Sequence, residues 1–172
     1  KKIIERSVLI THDANHIALK IKKISKKVNL EHIEFGVDTE FFNNKKLKNY
    51  STEDILSKHK INCKNLNKNY KILLSNRNLE KIYNIEIIIK SLLELPENLI
   101  LIIAGSGSNA NNLFNLASKL SLLDRVFFVG AYNQVDLLEF FSITNIFISA
   151  SKYDAGLSIS VAEAMACKIP VI

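Results

Sequence analysis

The 172-residue chain is 48% hydrophobic, holds only 5 Gly and 2 Pro, and carries a formal net charge of +6, a balance that excludes disordered and low-complexity classes and suits one domain with part of another. Its longest apolar run, near 99–104, is strand-sized, so no spanning helix is expected, and no signal-peptide pattern follows Lys1-Lys2. Two cysteines, Cys63 and Cys167, exclude a disulfide framework and are expected to be reduced thiols of a cytoplasmic protein.

The charge is lopsided. Residues 1–90 hold 19 Lys or Arg against 10 acids, and residues 91–172 hold 4 against 7. Such a basic half can meet nucleic acid, an anionic membrane or phosphate ligands. The cations are nearly all Lys, however, with Arg only at 6, 77 and 125. Nucleic-acid recognition leans on the arginine fork, so it is not expected here.

In chain order, Ser7 to Thr11 predicts a short strand, and Asp13 is placed to cap a helix reaching about Val28. Ala14, Ile17, Ala18, Ile21, Ile24 and Val28 share one face of that helix, with the lysines off it. It could cover a sheet or lie on a membrane surface. His32 to Phe35 predicts a second strand, Gly36 a turn, and Thr39 to Asn49 a polar linker in which Phe41 and Phe42 pack; Ser51-Thr52-Glu53-Asp54 opens a short helix.

From Tyr70 strand and helix alternate regularly. Strands are predicted at 70–75, 99–104, 125–129 and 145–149, and helices at 84–95 (stopped by Pro96), 109–120, 133–141 (capped by Asn133 with Asp136) and 160–167. A last buried strand begins at Pro170-Val171-Ile172. Apolar strands separated by amphipathic helices imply an α/β fold, a Rossmann-like doubly wound parallel sheet. In such sheets ligands bind beyond the carboxyl ends of the strands, which directs attention to four loops.

Asn76-Arg77-Asn78 follows the first of these strands; Arg77 could grip phosphate oxygens or pair with Glu80. Gly105-Ser106-Gly107 lets a ligand approach or simply makes a tight turn. Gly130-Ala131-Tyr132 could contact a base, or Tyr132 could be a rim tyrosine. Gly156-Leu157-Ser158 enters a helix whose first N–H groups make an anion site, unless Ser158 or Ser160 caps it; Glu163, on the second turn, could accept ribose hydroxyls or be solvated. His12, His16, His32 and His59 form no metal-ligand pattern, and no Ser-His-Asp set, phosphate-binding P-loop or zinc-finger spacing is present.

Five segments, in order, resemble the retaining glycosyltransferases of family 4, which have the two-domain GT-B fold: HIEFGVDTEFF, ILLSNRNLEKIYNIEIIIKSL, LILIIAGSGSNANNL, RVFFVGAY and YDAGLSISVAEAMACKIPVI. The resemblance implies that residues 1–38 end an N-terminal acceptor-side domain, 39–69 form a linker with a short helix, and 70–172 form a nucleotide-sugar donor domain short of its last elements. It implies a chain cut from a longer enzyme, working on the cytoplasmic side, at the inner face of the membrane where its acceptor is lipid-linked. Arg77, Asp154 and Glu163 would be its central residues: Arg77 on the diphosphate, Glu163 on the ribose, Asp154 on the donor sugar. Gly105, Gly107, Gly130, Tyr132, Gly156, Leu157, Ser158 and Lys81 would complete the donor site. Four details depart from the family pattern: Lys168 replaces the usual glycine after the helix, Ala150 replaces the usual proline before Ser151, and two more touch the site. The first acid stands nine rather than eight residues before Glu163, the family position being Ala155, and Lys81 lies one residue before the usual lysine position. No metal or other cofactor is expected, and the partners are a nucleoside-diphosphate sugar and a saccharide or lipid-linked acceptor. Two alternatives share these features: a non-catalytic nucleotide-sugar binding module and a GT-B nucleotide-sugar epimerase.

Overall fold

The computed structural model describes residues 2–62, 69–154 and 156–172; Cys63 and Ala155 lie outside the described residues. The chain opens with a small unit: helix α1 (Lys2–Arg6), strand β1 (Ile10–His12), helix α2 (Asn15–Ile24) and strand β2 (Leu30–His32). The two strands pair in parallel, Ile10 with Leu30 and His12 with His32. Both strands therefore differ from the sequence expectation. The first starts later, pairing only from Ile10, and the second starts earlier, leaving Ile33 and Phe35 exposed beyond the ladder. Register against a three-residue partner outweighs the strand propensity of Ile33 and Phe35. Nor does Asp13 cap α2. Ala14 holds the cap position without a side-chain bond, and the helix ends at Ile24, where Ser25 turns extended.

Residues 39–61 lead onto the main sheet. Phe41 and Phe42 meet edge to face at 4.9 Å, and Phe42 packs on Phe141. Helix α3 (Thr52–Lys58) is capped by Ser51, which accepts from the Asp54 N–H. The main sheet contains β3 (Lys71–Ser75), β4 (Leu99–Ala104), β5 (Val126–Gly130) and β6 (Ile146–Phe147), all parallel, in the order β5-β4-β3-β6. The last residues pair beside β6: Phe147 N–H donates to the Pro170 carbonyl (2.8 Å) and Ile172 N–H to the Phe147 carbonyl (2.9 Å). Ile172 is exposed rather than buried at this edge.

The period of two along the strands separates two cores. Ile72, Leu74, Ile100, Ile102 and Phe147 face one layer, formed with α3, α6 (Gln134–Ile143) and α7 (Ile159–Ala166). Leu73, Leu101 and Ile103 face the other, under α4 (Ile85–Ser91) and α5 (Ala110–Lys119). Both faces are apolar because both are covered, the condition for a parallel sheet. Asn133 and Asp136 cap α6 reciprocally. Helix α4 stops at Ser91, and Leu93 and Glu94 then make i to i−3 bonds before Pro96. Its loose end is held by buried Arg125, whose guanidinium donates to the carbonyls of Leu92, Leu95, Pro96 and Leu99 at 2.8–3.4 Å.

Candidate functional site

Strand order reverses at β3. The chain moves from β3 to β4 and β5 on one side, then returns to place β6 on the other. The loops after β3 and β6 part at this switch point, and the gap between them is the expected place for a ligand. A cavity of about 450 Å³ lies there, and Arg77, Asp154, Gly156, Leu157, Ser158 and Glu163 all line it. Tyr132, from the loop after β5, lines it too.

Arg77 is the hub. One end nitrogen donates to the hydroxyls of Ser158 and Ser160 (the latter at 3.0 Å), and the other donates to Asp154. The Tyr83 ring lies under the guanidinium at 4.4 Å, a cation–π contact. Glu80 plays no part: it accepts from the Ser108 N–H (2.7 Å) and hydroxyl (2.6 Å), which hold its carboxyl below the ordinary range. Ser158, at the cap position of α7, makes no capping bond, because its hydroxyl lies between Arg77 and Ser160. The sequence alternative of a simple serine cap is not what forms. The uncapped positive end of α7 and a guanidinium therefore converge, with Asp154 the carboxylate paired to Arg77. Positive potential of this kind suits an anion with several oxygens.

Glu163 is half-buried, and burial raises its carboxyl above the ordinary range. Tyr132 donates to the Asn76 carbonyl at 3.1 Å; burial, then the Glu163 carboxylate, pushes its hydroxyl up. Cys167 is a buried free thiol raised to about 11, first by burial and then by Glu163.

The remaining expected residues fall elsewhere. Gly105 and Gly107 do not line the cavity; they pack backbone on backbone. A β-carbon on Gly105 would stand 2.4 Å from the Arg77 carbonyl oxygen, and one on Gly107 would stand 2.5 Å from that of Leu79. With Leu79 N–H bonded to the Ser106 carbonyl and Asn109 N–H to that of Leu79, the two loops interlock. The glycine pair thus sets the Arg77 loop instead of meeting the cavity. Gly130, at φ +76°, sits exposed at the end of β5 and bonds the Gly105 N–H. Lys81 is exposed at the start of a short 3-10 helix, outside the cavity lining.

The cavity also takes residues that the sequence reading did not assign to a site. Asp13 and Phe35 come from the N-terminal unit, and Asn76 and Tyr83 flank Arg77. The signal for Asn76 was its place directly after a strand; Asp13 gave none, since its position suggested a helix cap. Asp13 and Gly156 nearly touch, for a β-carbon on Gly156 would lie 2.9 Å from the Asp13 carbonyl oxygen. One histidine also gathers carboxylates around it. His59 bonds Glu139 at 3.0 Å beside Asp136, a grouping with metal-ligand spacing. Lys58 already bonds both carboxylates at 2.8–3.0 Å; although burial pulls them up, its ammonium holds them below their ordinary range. Among the described residues, no helix is long and apolar enough to cross a membrane.

The fold agrees with comparisons to known proteins. Sucrose-phosphate synthase from Thermosynechococcus elongatus superposes with a TM-score of 0.77 at 22% identity, covering 99% of this chain and 41% of that one. Anabaena HepE, solved with UDP-glucose, gives 0.79 at 18% identity, with 99% and 46% covered. WaaG, a glycosyltransferase of lipopolysaccharide biosynthesis, gives 0.72 at 16% identity, with 94% and 42% covered. The chain therefore spans less than half the length of these GT-B proteins. No curated protein matches it. The family model for glycosyl transferases group 1 matches residues 57–172, two-thirds of the sequence, and the chain belongs to that family.

Proposed function

We propose that this chain is the donor-binding portion of a retaining family 4 glycosyltransferase, which moves a sugar from a nucleoside diphosphate to a saccharide or lipid-linked acceptor. The observation that carries the reading is the convergence of Arg77, Ser158, Ser160 and the uncapped end of α7 at the sheet's switch point. Family membership and the UDP and UDP-glucose held by Anabaena HepE support it.

In this reading the donor diphosphate takes Arg77 over from Asp154. The guanidinium and the N–H groups of α7 then stabilise the charge that builds on the leaving nucleoside diphosphate as the glycosidic bond breaks. Glu163 accepts from the ribose hydroxyls, and Asp154, once released, faces the donor sugar. Gly156 and Leu157 supply main-chain N–H groups to the phosphates. Lys81, Gly105, Gly107 and Gly130 support the loops around the donor, and Tyr132 lies beside its nucleoside. No metal has a step in this scheme, since fixed cationic and dipolar groups meet the diphosphate. The enzyme works on the cytoplasmic side, at the membrane's inner face when its acceptor is a lipid.

The test is transfer by the full-length protein from a panel of UDP-, GDP- and ADP-sugars, with anomeric configuration followed by NMR. Product of retained configuration with one of them, lost in Arg77→Ala, is the expected result. Binding of a nucleotide sugar without any transfer or hydrolysis would favour a non-catalytic binding module, and free epimerised donor would favour an epimerase.

A further inference from the structure

The residue before Arg77 carries an unanswered hydrogen-bonding demand. Asn76 is 4% exposed and lines the cavity, yet neither its amide nitrogen nor its amide oxygen has a hydrogen-bond partner. Its own main-chain carbonyl is engaged by the Tyr132 hydroxyl, so the backbone is anchored while the side chain is not. The Arg77 Nε beside it is likewise buried without a partner. Leaving both ends of a primary amide unpaired in a protein interior is costly, and native structures tolerate it where a ligand completes the set.

The chemistry of the missing group follows from what an amide needs. The Asn76 nitrogen must donate and the oxygen must accept. A diphosphate offers acceptors only: it would satisfy the nitrogen and leave the oxygen orphaned. A hydroxyl both accepts and donates, so one hydroxyl, or a vicinal pair, answers both atoms. The position narrows the choice further, because Asn76 adjoins the arginine assigned to the diphosphate and is joined through Tyr132 to the surroundings of Glu163.

Building on the donor-site reading above, we infer that the Asn76 side chain recognises a hydroxyl of the unit attached to the donor's diphosphate. This makes Asn76 a specificity-determining contact for a polyhydroxylated group. The hydroxyl belongs either to the transferred sugar or to the pentose.

Calorimetry on the full chain distinguishes these sources, using whichever of UDP, GDP or ADP the wild type binds, its sugar conjugate, and the 2′,3′-dideoxy nucleotide. Loss of one hydrogen bond pair in Asn76→Ala should weaken the responsive ligand about tenfold. A loss confined to the sugar conjugate, with the plain nucleotide changed less than about twofold, assigns the hydroxyl to the transferred sugar. An equal loss for conjugate and nucleotide that disappears with the dideoxy nucleotide assigns it to the pentose. Retained nucleotide binding in the first case, or dideoxy binding in the second, shows that the variant folds. Asn76→Ser, which keeps a small donor and acceptor, should recover part of the loss and replaces the alanine variant if that one fails to fold. The inference is overturned if no ligand is weakened beyond twofold, or if the dideoxy nucleotide is weakened as much as the others. A wild-type protein that binds none of these ligands would instead remove the donor-site reading itself.

Discussion

Arg77 and Asp154, 77 positions apart in the sequence, form an ion pair across the switch point of the sheet, with the arginine side chain 10% exposed and the aspartate 30%. The pair joins the loop after β3 to the loop after β6. It also occupies the same guanidinium that a diphosphate would need, so protein carboxylate and ligand compete for one fork.

That competition has a sign. Asp154→Asn should tighten binding of a plain nucleoside diphosphate, by about threefold, because a partly exposed ion pair contributes only modestly. Arg77→Ala should weaken it by about 100-fold, since two charge-assisted hydrogen bonds are lost. Titration calorimetry on both variants checks the pair of effects. Weaker binding in Asp154→Asn would mean that the carboxylate supports the phosphates' site instead of competing for it.

A second expectation concerns protons. Burial raises the Glu163 carboxyl, so the folded protein holds this proton to higher pH than the unfolded chain does. The group therefore costs stability as pH rises from its ordinary value of 4.5 through its raised one. A ribose diol donating to the ionised form would favour that form and lower the pKa again. Nucleotide binding in the mildly acidic range should thus release protons, and the release should vanish in Glu163→Gln. Binding enthalpies measured in two buffers of different ionisation heat read this directly; identical enthalpies in both would remove the ribose role.

Stability should depend sharply on which glycine is altered. Gly107→Ala drives a β-carbon into the Leu79 main chain, which cannot swing aside as a side chain would. A loss of about 2–3 kcal/mol is expected from such overpacking, seen as a lower denaturant midpoint. Gly36→Ala meets nothing within 4 Å and should leave the midpoint unchanged. Because the Gly107 clash displaces the segment carrying Arg77, nucleotide affinity should fall alongside stability.

Arg125 provides the opposite case, stability without function. Its guanidinium makes four bonds to carbonyls at the end of α4 and the start of β4, which Lys has neither the fork nor the reach to match. Arg125→Lys should cost about 2–3 kcal/mol in urea unfolding while leaving nucleotide affinity within error. A matching loss of affinity would mean that the sheet's far end communicates with the cavity.

These contrasts mark what could be read from the residues alone. Continuous runs such as Leu99–Ala104 announce a sheet covered on both faces, and Asn133 with Asp136 announces a helix start, since both signals are local. Arg77 and Glu163 could be placed toward one rim because strand ends define where ligands enter. Asp13 could not, for its carboxylate reaches the cavity only through packing of the N-terminal unit against Gly156. Nor could the role of Gly105 and Gly107, whose neighbours are main-chain atoms of a loop nearly 30 residues away. The orphaned amide of Asn76 is a property of surroundings, and a sequence records the amide without recording what fails to meet it.

The contact of Gly156 with Asp13 locks two distant parts of the chain together. Gly156 belongs to the loop that bears Asp154 and leads into the N-terminal end of α7, whereas Asp13 belongs to the N-terminal unit. A bulkier side chain at 156 would act as a wedge between the two, because even a β-carbon there stands 2.9 Å from the Asp13 carbonyl oxygen.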